Sequence, residues 1–584
     1  MLIPSLPPLS SRLRAIALVL PLVLTISDTH AADPVTDYEP VITRLESFIT
    51  AELQAKQLPA ASIALVADDR VVWSAGFGPA KQEGPPASVD TTYRVGSVSK
   101  LFNALAVMRL VAEGKVDLDE DVRTYLPDFA PQNPFDKPIT LRLLMSHQSG
   151  LVRESPLGSY FDATSPTIAA TVASLNDTTV LLEPGSKTKY SNAAVTVAGL
   201  VVERVSGQPY SQYVQRAVLE PLGMGSSSFR PTEAINARLP DAWMWSFHSD
   251  PFPAPTFDMG ILPAGNLCST VTDLSKMLIV MLGDQPPASL GIDRALLDSM
   301  IRPASPDSVA GHEYGIAFRL GELDGRPTFG HGGAVYGYAT QFKGLRDEKI
   351  GVVVALAQDC ANGETNRIGD YALRLMLAHR AGEPLPEIST SGPLAAGEAK
   401  QMAGRYTNGS GQAIEIYAKG ERAFLKHGHW MGELRCASDG YLIDDVLRHG
   451  PALQWDGADG VILLDGKEWR PTDDENAACP PEWRELVGEY GWDHNVMYIY
   501  EDHGRLRSLI EWFFDYPLTE LGEDAFAFPD SGLYHDEKVV FRRNEHGEIT
   551  HAVAGGVAFP RRPSSGADDS ASPYARIAPD RQAE

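Results

Sequence analysis

The hydrophobic pattern along the chain changes period several times between residues 40 and 382. "ASIALVADDRVVWSAGFG" (61–78) sets two apolar runs on either side of Asp68 and Asp69, which predicts a β-hairpin. "KIGVVVALAQD" (349–359) is a continuous apolar run with the length of a buried strand. "TNRIGDYALRLMLAHRAG" follows it with helical spacing. Further helices are predicted over 97–113 and 192–206. Strands at both ends and helices between them predict an α/β domain whose sheet joins its N- and C-terminal parts.

Past residue 382 the pattern changes. "GEPLPEISTSGPLAAGE" (382–398) is rich in Pro, Gly and Ser and reads as a linker. After it come short alternating runs with frequent turn residues and little helix. "MAGRYTN" at 402 recurs loosely as "LVGEYGW" at 486, which puts Tyr406 and Tyr490 84 positions apart (490 − 406). "EIYAKGERAFL" and "YIYEDHGRLRSL" repeat at nearly the same offset. Two copies of a small antiparallel β-barrel fit this best. The expected boundaries are 40–382 for the α/β domain, 383–398 for the linker, 399–478 and 479–563 for the barrels, and 564–584 for a disordered tail.

A length of 584 residues exceeds what one core holds. Asp and Glu number 76 against 50 Lys and Arg, a formal net charge of -26. Such a surface repels nucleic acid and anionic lipid, so neither is expected as a partner. Arg12 and Arg14 precede "AIALVLPLVLTI", an apolar run of 12 residues, and small residues follow at Ala31 and Ala32. This reads as an export signal over 1–31, too short to span a bilayer, which places the mature chain in the periplasm or outside the cell. No stable membrane insertion is expected once it is cleaved, and a homodimer is compatible with the sequence. Four cysteines are present, and oxidising surroundings permit pairing of Cys268 with Cys360 and of Cys436 with Cys479.

Chemistry is suggested by "GSVSK". Ser97 and Lys100 have the i, i+3 spacing that brings two side chains onto one helix face, whereas Ser99 and Lys100 do not. A serine hydroxyl needs a base to become a nucleophile. A lysine serves as that base only when its amine is neutral, which burial promotes. Leu101, Leu105, Met108 and Val111 form an apolar stripe that would bury the helix and desolvate Lys100. The N–H of Ser97 could also stabilise an oxyanion. Two further motifs follow. Tyr190-Ser191-Asn192 precedes the second apolar helix. Tyr190, with its pKa lowered by neighbouring cations, could pass a proton, and Asn192 could donate to a substrate carbonyl and touch the lysine. His331-Gly332-Gly333 leads a strand on which a ligand backbone could lie, with the N–H of Ala334 as a second oxyanion donor.

S-x-x-K, Y-S-N and H-G-G, in this order, resemble the serine β-lactamase and penicillin-binding protein superfamily, of which S-x-x-K is a known signature. "LRLLMSHQSGL" (141–151), "EPLGMGSSSF" (220–229) and "PAGNLCSTVTDLSKML" (263–278) resemble segments of its class C-like branch. The resemblance implies a β-lactamase-like fold, an antiparallel sheet with helices on both faces plus a helical subdomain, followed here by lipocalin-like barrels. It implies Ser97 as acyl-accepting nucleophile, Lys100 as its base, Tyr190 as proton shuttle, Asn192 as substrate-binding residue and His331 as a residue steadying charge. Ser97, Gly333 and Ala334 would frame the oxyanion site. No cofactor and no metal are implied.

Relatives that hold a free carboxylate carry Lys-Thr-Gly where this chain has His331-Gly332-Gly333. Loss of those donors argues against a β-lactamase or carboxypeptidase. H-x-G resembles D-aminopeptidase-like and esterase-like members, some of which carry two barrels. The expected partner is a small-molecule or short-peptide amide or ester. An esterase, a β-lactamase or DD-peptidase, and a non-turning penicillin- or ligand-binding protein remain alternatives. "EWFFDYPL" (511–518) is either barrel core or a cap over the pocket, with Asp515 meeting a substrate amine. His427 and His429 have the spacing of one strand face, but no third metal ligand is evident.

Overall fold

The central sheet grows from strands with no polar face. β1 (Ala61–Ala67) and β6 (Ile350–Leu356) are buried at every residue. Such strands require cover on both sides. They come from opposite ends of the α/β region and pair antiparallel, with Ile63 opposite Val354. β2 (Arg70–Phe77), β3 (Arg319–Leu323), β4 (Arg326–Val335) and β5 (Tyr338–Leu345) complete a six-stranded sheet in the order β2-β1-β6-β5-β4-β3. Every neighbouring pair runs antiparallel.

The structure is a computed structural model that describes residues 37–247, 249–304, 314–472 and 480–563. The export signal, the C-terminal tail and Cys479 lie outside the described residues. From Tyr38 onward the described residues pack as one compact unit.

Helices cover both faces of the sheet. α4 (Val271–Leu282) lays Leu278 against Gly351. α5 (Asn362–Ala381) lays Gly369 against Val352 and Val354 on the opposite face. α1 (Glu39–Ala55) packs outside α5 through Phe48 and Tyr371, whose rings are 4.9 Å apart. Between β2 and β3 lie α2 (Ser99–Ala112) and α3 (Asn192–Ser206). The helix expected over 97–113 is broken at its start: a 3₁₀ turn, Gly96–Val98, precedes α2. Ser191 caps α3 by accepting from the N–H of Ala194 at 2.9 Å.

The first C-terminal part is a closed eight-stranded barrel from Gly404–Thr407 to Lys467–Pro471, sealed where Tyr406 meets Pro471. The second part is a more loosely laddered counterpart of the first. Its strands form a four-stranded sheet (Gly488–Trp492 to Phe514–Pro517) and a five-stranded sheet (Thr519–Gly522 to Val557–Pro560). The bridge from Tyr490 to Arg561 and the bonds from Arg562 N–H to Glu489 O and from Leu518 N–H to Leu506 O hold the sheets around one core. The repeat is physical at its start. Tyr406 donates to Met402 O at 2.6 Å, and Tyr490 donates to Leu486 O at 2.8 Å, the same bond 84 positions later (490 − 406 and 486 − 402).

The segment read as a linker is tied down: Gly392 exchanges both backbone hydrogen bonds with Cys436. A buried ion cluster docks the first barrel. Lys56 Nζ lies 2.8 Å from Glu52, 2.5 Å from Glu364 and 2.7 Å from the barrel residue Asp444. Three expectations are corrected here. Cys268 and Cys360 are both buried free thiols, and Cys436 is also free. Asp515 does not face the active site: its carboxylate pairs with Arg507 at 2.9 Å and Lys426 at 3.3 Å and accepts from Tyr500 OH. His427 ends a strand and His429 stands in the following turn, so they do not share a strand face.

Candidate active site

Ser97 sits in the 3₁₀ turn and Lys100 in the first turn of α2. The tight turn still brings their side chains together, with Lys100 Nζ 2.9 Å from Ser97 Oγ. Tyr190 OH donates to the same Oγ at 2.8 Å. Lys100 also donates to Asn192 Oδ1 at 2.8 Å and to Ala264 O at 2.9 Å. Ser97 is partly exposed, while Lys100 is fully buried. Thus Lys100 from α2 and Tyr190 from the segment before α3 converge on one hydroxyl, and Asn192 of α3 holds the lysine.

Burial holds the Lys100 amine well below its ordinary value; Glu154 opposes that shift and Arg153 adds to it. The expectation for Tyr190 reverses. Burial raises its phenol above the usual range, Tyr314 adds to the rise, and the bond to Ser97 and the charge of Arg153 only partly counter it. Desolvation outweighs the nearby cations although the ring is only partly covered. Tyr190 therefore stands protonated as a donor.

His331 is also corrected. Burial, then the charge of Lys100, pushes its imidazole down to about 3, so it is neutral and steadies nothing by charge. Its Nδ1 faces Gly332 O at 2.5 Å, so Nδ1 carries the proton and donates. Nε2 is left as a buried acceptor with no partner among the described residues.

Gly333 and, across from it, Gly96 act through closeness. A Cβ on Gly333 would lie 2.0 Å from Val95 O, and one on Gly96, where φ is +50°, would lie 2.7 Å from Ala334 O. No side chain fits at either place. Bare backbone lets β4 press against the Val95–Ser97 turn, which sets Ala334 beside Ser97. Asn362, at the start of α5, fastens the strand from outside by donating to Gly333 O at 3.0 Å.

Of the further residues around the site, Asn192 is among those expected from the sequence, whereas His147, Arg153, Glu154 and Glu511 are not. Asn192 is doubly committed: its Oδ1 receives Lys100, and its Nδ2 donates to Glu154 at 2.5 Å. It therefore orients the lysine in this state rather than presenting a free amide. His147 has φ +59° and holds both neighbours of Tyr190. Its Nδ1 accepts from Ser191 N–H at 3.2 Å and its carbonyl accepts from Lys189 N–H at 2.7 Å. The His147 ring lies 4.2 Å from that of Tyr190. Arg153 Cζ is 5.7 Å from the Tyr190 ring centre, and its Nη2 donates to Glu511 at 2.9 Å. Burial opposes the charge of Arg153, and Glu511, Tyr534 and Glu154 more than offset it. His147 lies within 141–151 and Glu511 within 511–518, two segments that the sequence brings forward, but nothing local marks Glu154, which reaches the site only through folding.

Residues 45–375 match the family model described as Beta-lactamase, more than half of the chain. The fold and the convergence on Ser97 are those of a family of serine hydrolases. The chain belongs to the beta-lactamase family, within the serine β-lactamase and penicillin-binding protein superfamily. It is 28% identical over 340 residues to the human "Putative beta-lactamase-like 1", covering 56% of this chain and 66% of that protein. The match to a Dictyostelium discoideum relative, "Beta-lactamase-like protein 2", covers 54% of its length, so the chain spans about half to two thirds of these relatives. Among solved structures, the octameric penicillin-binding protein homologue from Pyrococcus abyssi shares the fold with a TM-score of 0.54 at 24% identity, over 81% of this chain and 99% of that one. A D-amino acid amidase from Ochrobactrum anthropi SV3, complexed with L-phenylalanine, does so with a TM-score of 0.50 at 21% identity, over 58% of this chain and 99% of that one.

Proposed function

We propose that this chain is an exported serine hydrolase that forms a covalent acyl-Ser97 intermediate on small amide or ester substrates, most nearly as a D-aminopeptidase does. One observation carries the reading: a fully buried lysine with a depressed amine and a tyrosine hydroxyl meet on the same serine oxygen. With Lys100 neutral, its two N–H groups serve Asn192 and Ala264, and its lone pair faces Ser97. As Ser97 Oγ bonds to the acyl carbon, its proton passes to Lys100. Tyr190 gives a proton to the departing nitrogen or oxygen as that bond breaks, and the Lys100 ammonium refills the phenol. Water then attacks the ester, Lys100 and Tyr190 move its proton to Ser97 Oγ, and the acid leaves. The N–H groups of Ser97 and Ala334 hold the oxyanion.

The substrate class rests on His331. A neutral acceptor stands where carboxylate-binding relatives place a cation, and a free substrate carboxylate would meet a lone pair there. That disfavours β-lactams and peptides with a free terminal carboxylate. The similarity to a D-amino acid amidase supports an acyl donor with a free amine. Export rests on the pattern of residues 12–32, which implies a periplasmic or secreted enzyme.

The test is hydrolysis of a D-alanine anilide, its L-isomer, a short acyl ester and a cephalosporin, with Ser97→Ala as control. Ser97-dependent release from the D-anilide supports the reading. Release from the ester alone makes the enzyme an esterase. Rapid cephalosporin turnover overturns the argument from His331. A stable acyl mass on Ser97 without turnover makes the chain a binder.

A further inference from the structure

The second C-terminal part meets the catalytic part at the two segments that hold Tyr190 and Asn192. Glu537 lies at the centre of that contact and is buried. Its Oε1 accepts from the backbone N–H of Arg153 at 2.9 Å and lies 3.1 Å from Lys189 Nζ. The carbonyl of Arg153 in turn accepts from Asn192 N–H at 2.9 Å and Ala193 N–H at 3.3 Å. Lys189, fully buried, immediately precedes Tyr190 and also donates to His535 O at 2.7 Å. A single carboxylate thus bonds to the segment bearing Arg153 and Glu154 and to the residue next to Tyr190.

Neighbouring contacts repeat the arrangement. Glu154 N–H donates to Gly555 O at 3.2 Å, Arg153 pairs with Glu511 at 2.9 Å, and Tyr534 OH donates to Glu511 at 2.6 Å. A Cβ on Gly556, whose φ is +89°, would fall 2.6 Å from Glu154 O. The two surfaces are in backbone contact there, so little freedom remains between them.

We propose that Glu537 is a positioning residue for Tyr190 and Asn192, and that the second C-terminal part is thereby a component of the active site. Glu537 touches no reacting atom. It acts by fixing the spacing between the Arg153–Glu154 segment and the Lys189–Asn192 segment, and hence the convergence of Tyr190 and Lys100 on Ser97. The proposal rests on the catalytic roles of Ser97, Lys100 and Tyr190 in the proposed function. Small displacements of such groups reduce rate steeply, by on the order of a hundredfold for about 1 Å.

The experiment uses the full chain and whichever panel substrate the wild type turns over. Glu537→Gln alone strands the buried Lys189 ammonium, so it is paired with Lys189→Met, which removes that charge. The double variant is expected to melt as a folded protein and to lose at least about tenfold in kcat with KM changed by less than about twofold. Glu537→Asp keeps the charge but shortens the reach. It is expected to fold, to lose several-fold in kcat, and to keep the wild-type pH profile. A folded Glu537→Asp or double variant with wild-type kcat overturns the proposal and leaves Glu537 as a docking contact. Ser97→Ala retaining full turnover overturns the underlying reading instead. The two failures are therefore distinguishable.

Discussion

Glu154 accepts from Asn192 Nδ2 at 2.5 Å, and this bond turns Asn192 Oδ1 toward Lys100 Nζ at 2.8 Å. An amide can present either end to a neighbour. A carboxylate accepts and does not donate when ionised, so it selects the NH₂ end and leaves the oxygen for the lysine. The orientation of the Lys100 amine is therefore set through Asn192 by Glu154.

Glu154→Gln tests the charge and keeps one carbonyl oxygen for Asn192, at the loss of the second acceptor that Tyr160 N–H uses at 3.1 Å. Glu154 raises the Lys100 pKa, so removing its charge lets that pKa fall further. The acid limb of kcat/KM is expected to move to lower pH. Glu154→Ala leaves Asn192 Nδ2 buried without an acceptor, which costs about 1–3 kcal/mol in urea unfolding.

Lys100→Met is expected to abolish Ser97-dependent turnover. It also reports the shifted amine. Between the depressed native value and 10.5 the unfolded chain binds a proton that the native chain does not, so stability rises with pH across that window. Below it both states are protonated, and above it both are neutral. The stability of wild type relative to Lys100→Met should therefore increase on going from pH 7 to 10, by about 1.4 kcal/mol for each unit crossed. Equal differences at the two pH values, from denaturant titrations, would contradict a buried neutral lysine.

His331 and His147 are both pushed down by burial, His331 to about 3. His331 should not titrate between pH 5 and 8. His331→Gln, which keeps a carbonyl acceptor, is expected to preserve the position of both limbs of kcat/KM. A limb near pH 6 that disappears in the variant would show that the imidazole ionises.

Asp444 joins the first barrel to α1 and α5. Burial works against its charge, but His449, Lys56 and Arg367 hold its carboxyl below the usual range. Its contribution is present above its unfolded value of 3.8 and is lost as pH falls through the native one. Asp444→Asn leaves Lys56 paired with Glu52 and Glu364 and Arg367 paired with Glu52, so no cation is stranded and the loss is that of the charge-assisted bonds to the barrel. A loss of about 1.5–3 kcal/mol is expected from denaturant unfolding at pH 7. Less than 1 kcal/mol, roughly the worth of an exposed pair, would mean that water reaches the cluster.

The sequence by itself determined what depends on near neighbours and on period. Continuous apolar runs specify β1 and β6, because strands covered on both faces leave no polar stripe. The three-residue spacing of Ser97 and Lys100 specifies their meeting, and it survives the change from α-helix to 3₁₀ turn because both geometries keep i and i+3 close. The repeat that begins at Tyr406 and Tyr490 is likewise legible, since each tyrosine bonds four residues back. Only the tertiary structure decided the rest. Burial sets the direction of a pKa, and burial belongs to the folded whole, so Tyr190 moved up where its neighbours alone suggested down. Cys268 and Cys360 stayed unpaired and Asp515 joined an ion cluster for the same reason, as neither distance nor partner is written locally. Glu154, Glu511 and Glu537 lie up to 440 positions from Ser97 (537 − 97), and no period or spacing connects them to it. Glu154 reaches the site through Asn192 inside the α/β part, while Glu511 and Glu537 reach Arg153 because the second C-terminal part docks there, and docking follows from the shape and charge of two completed surfaces.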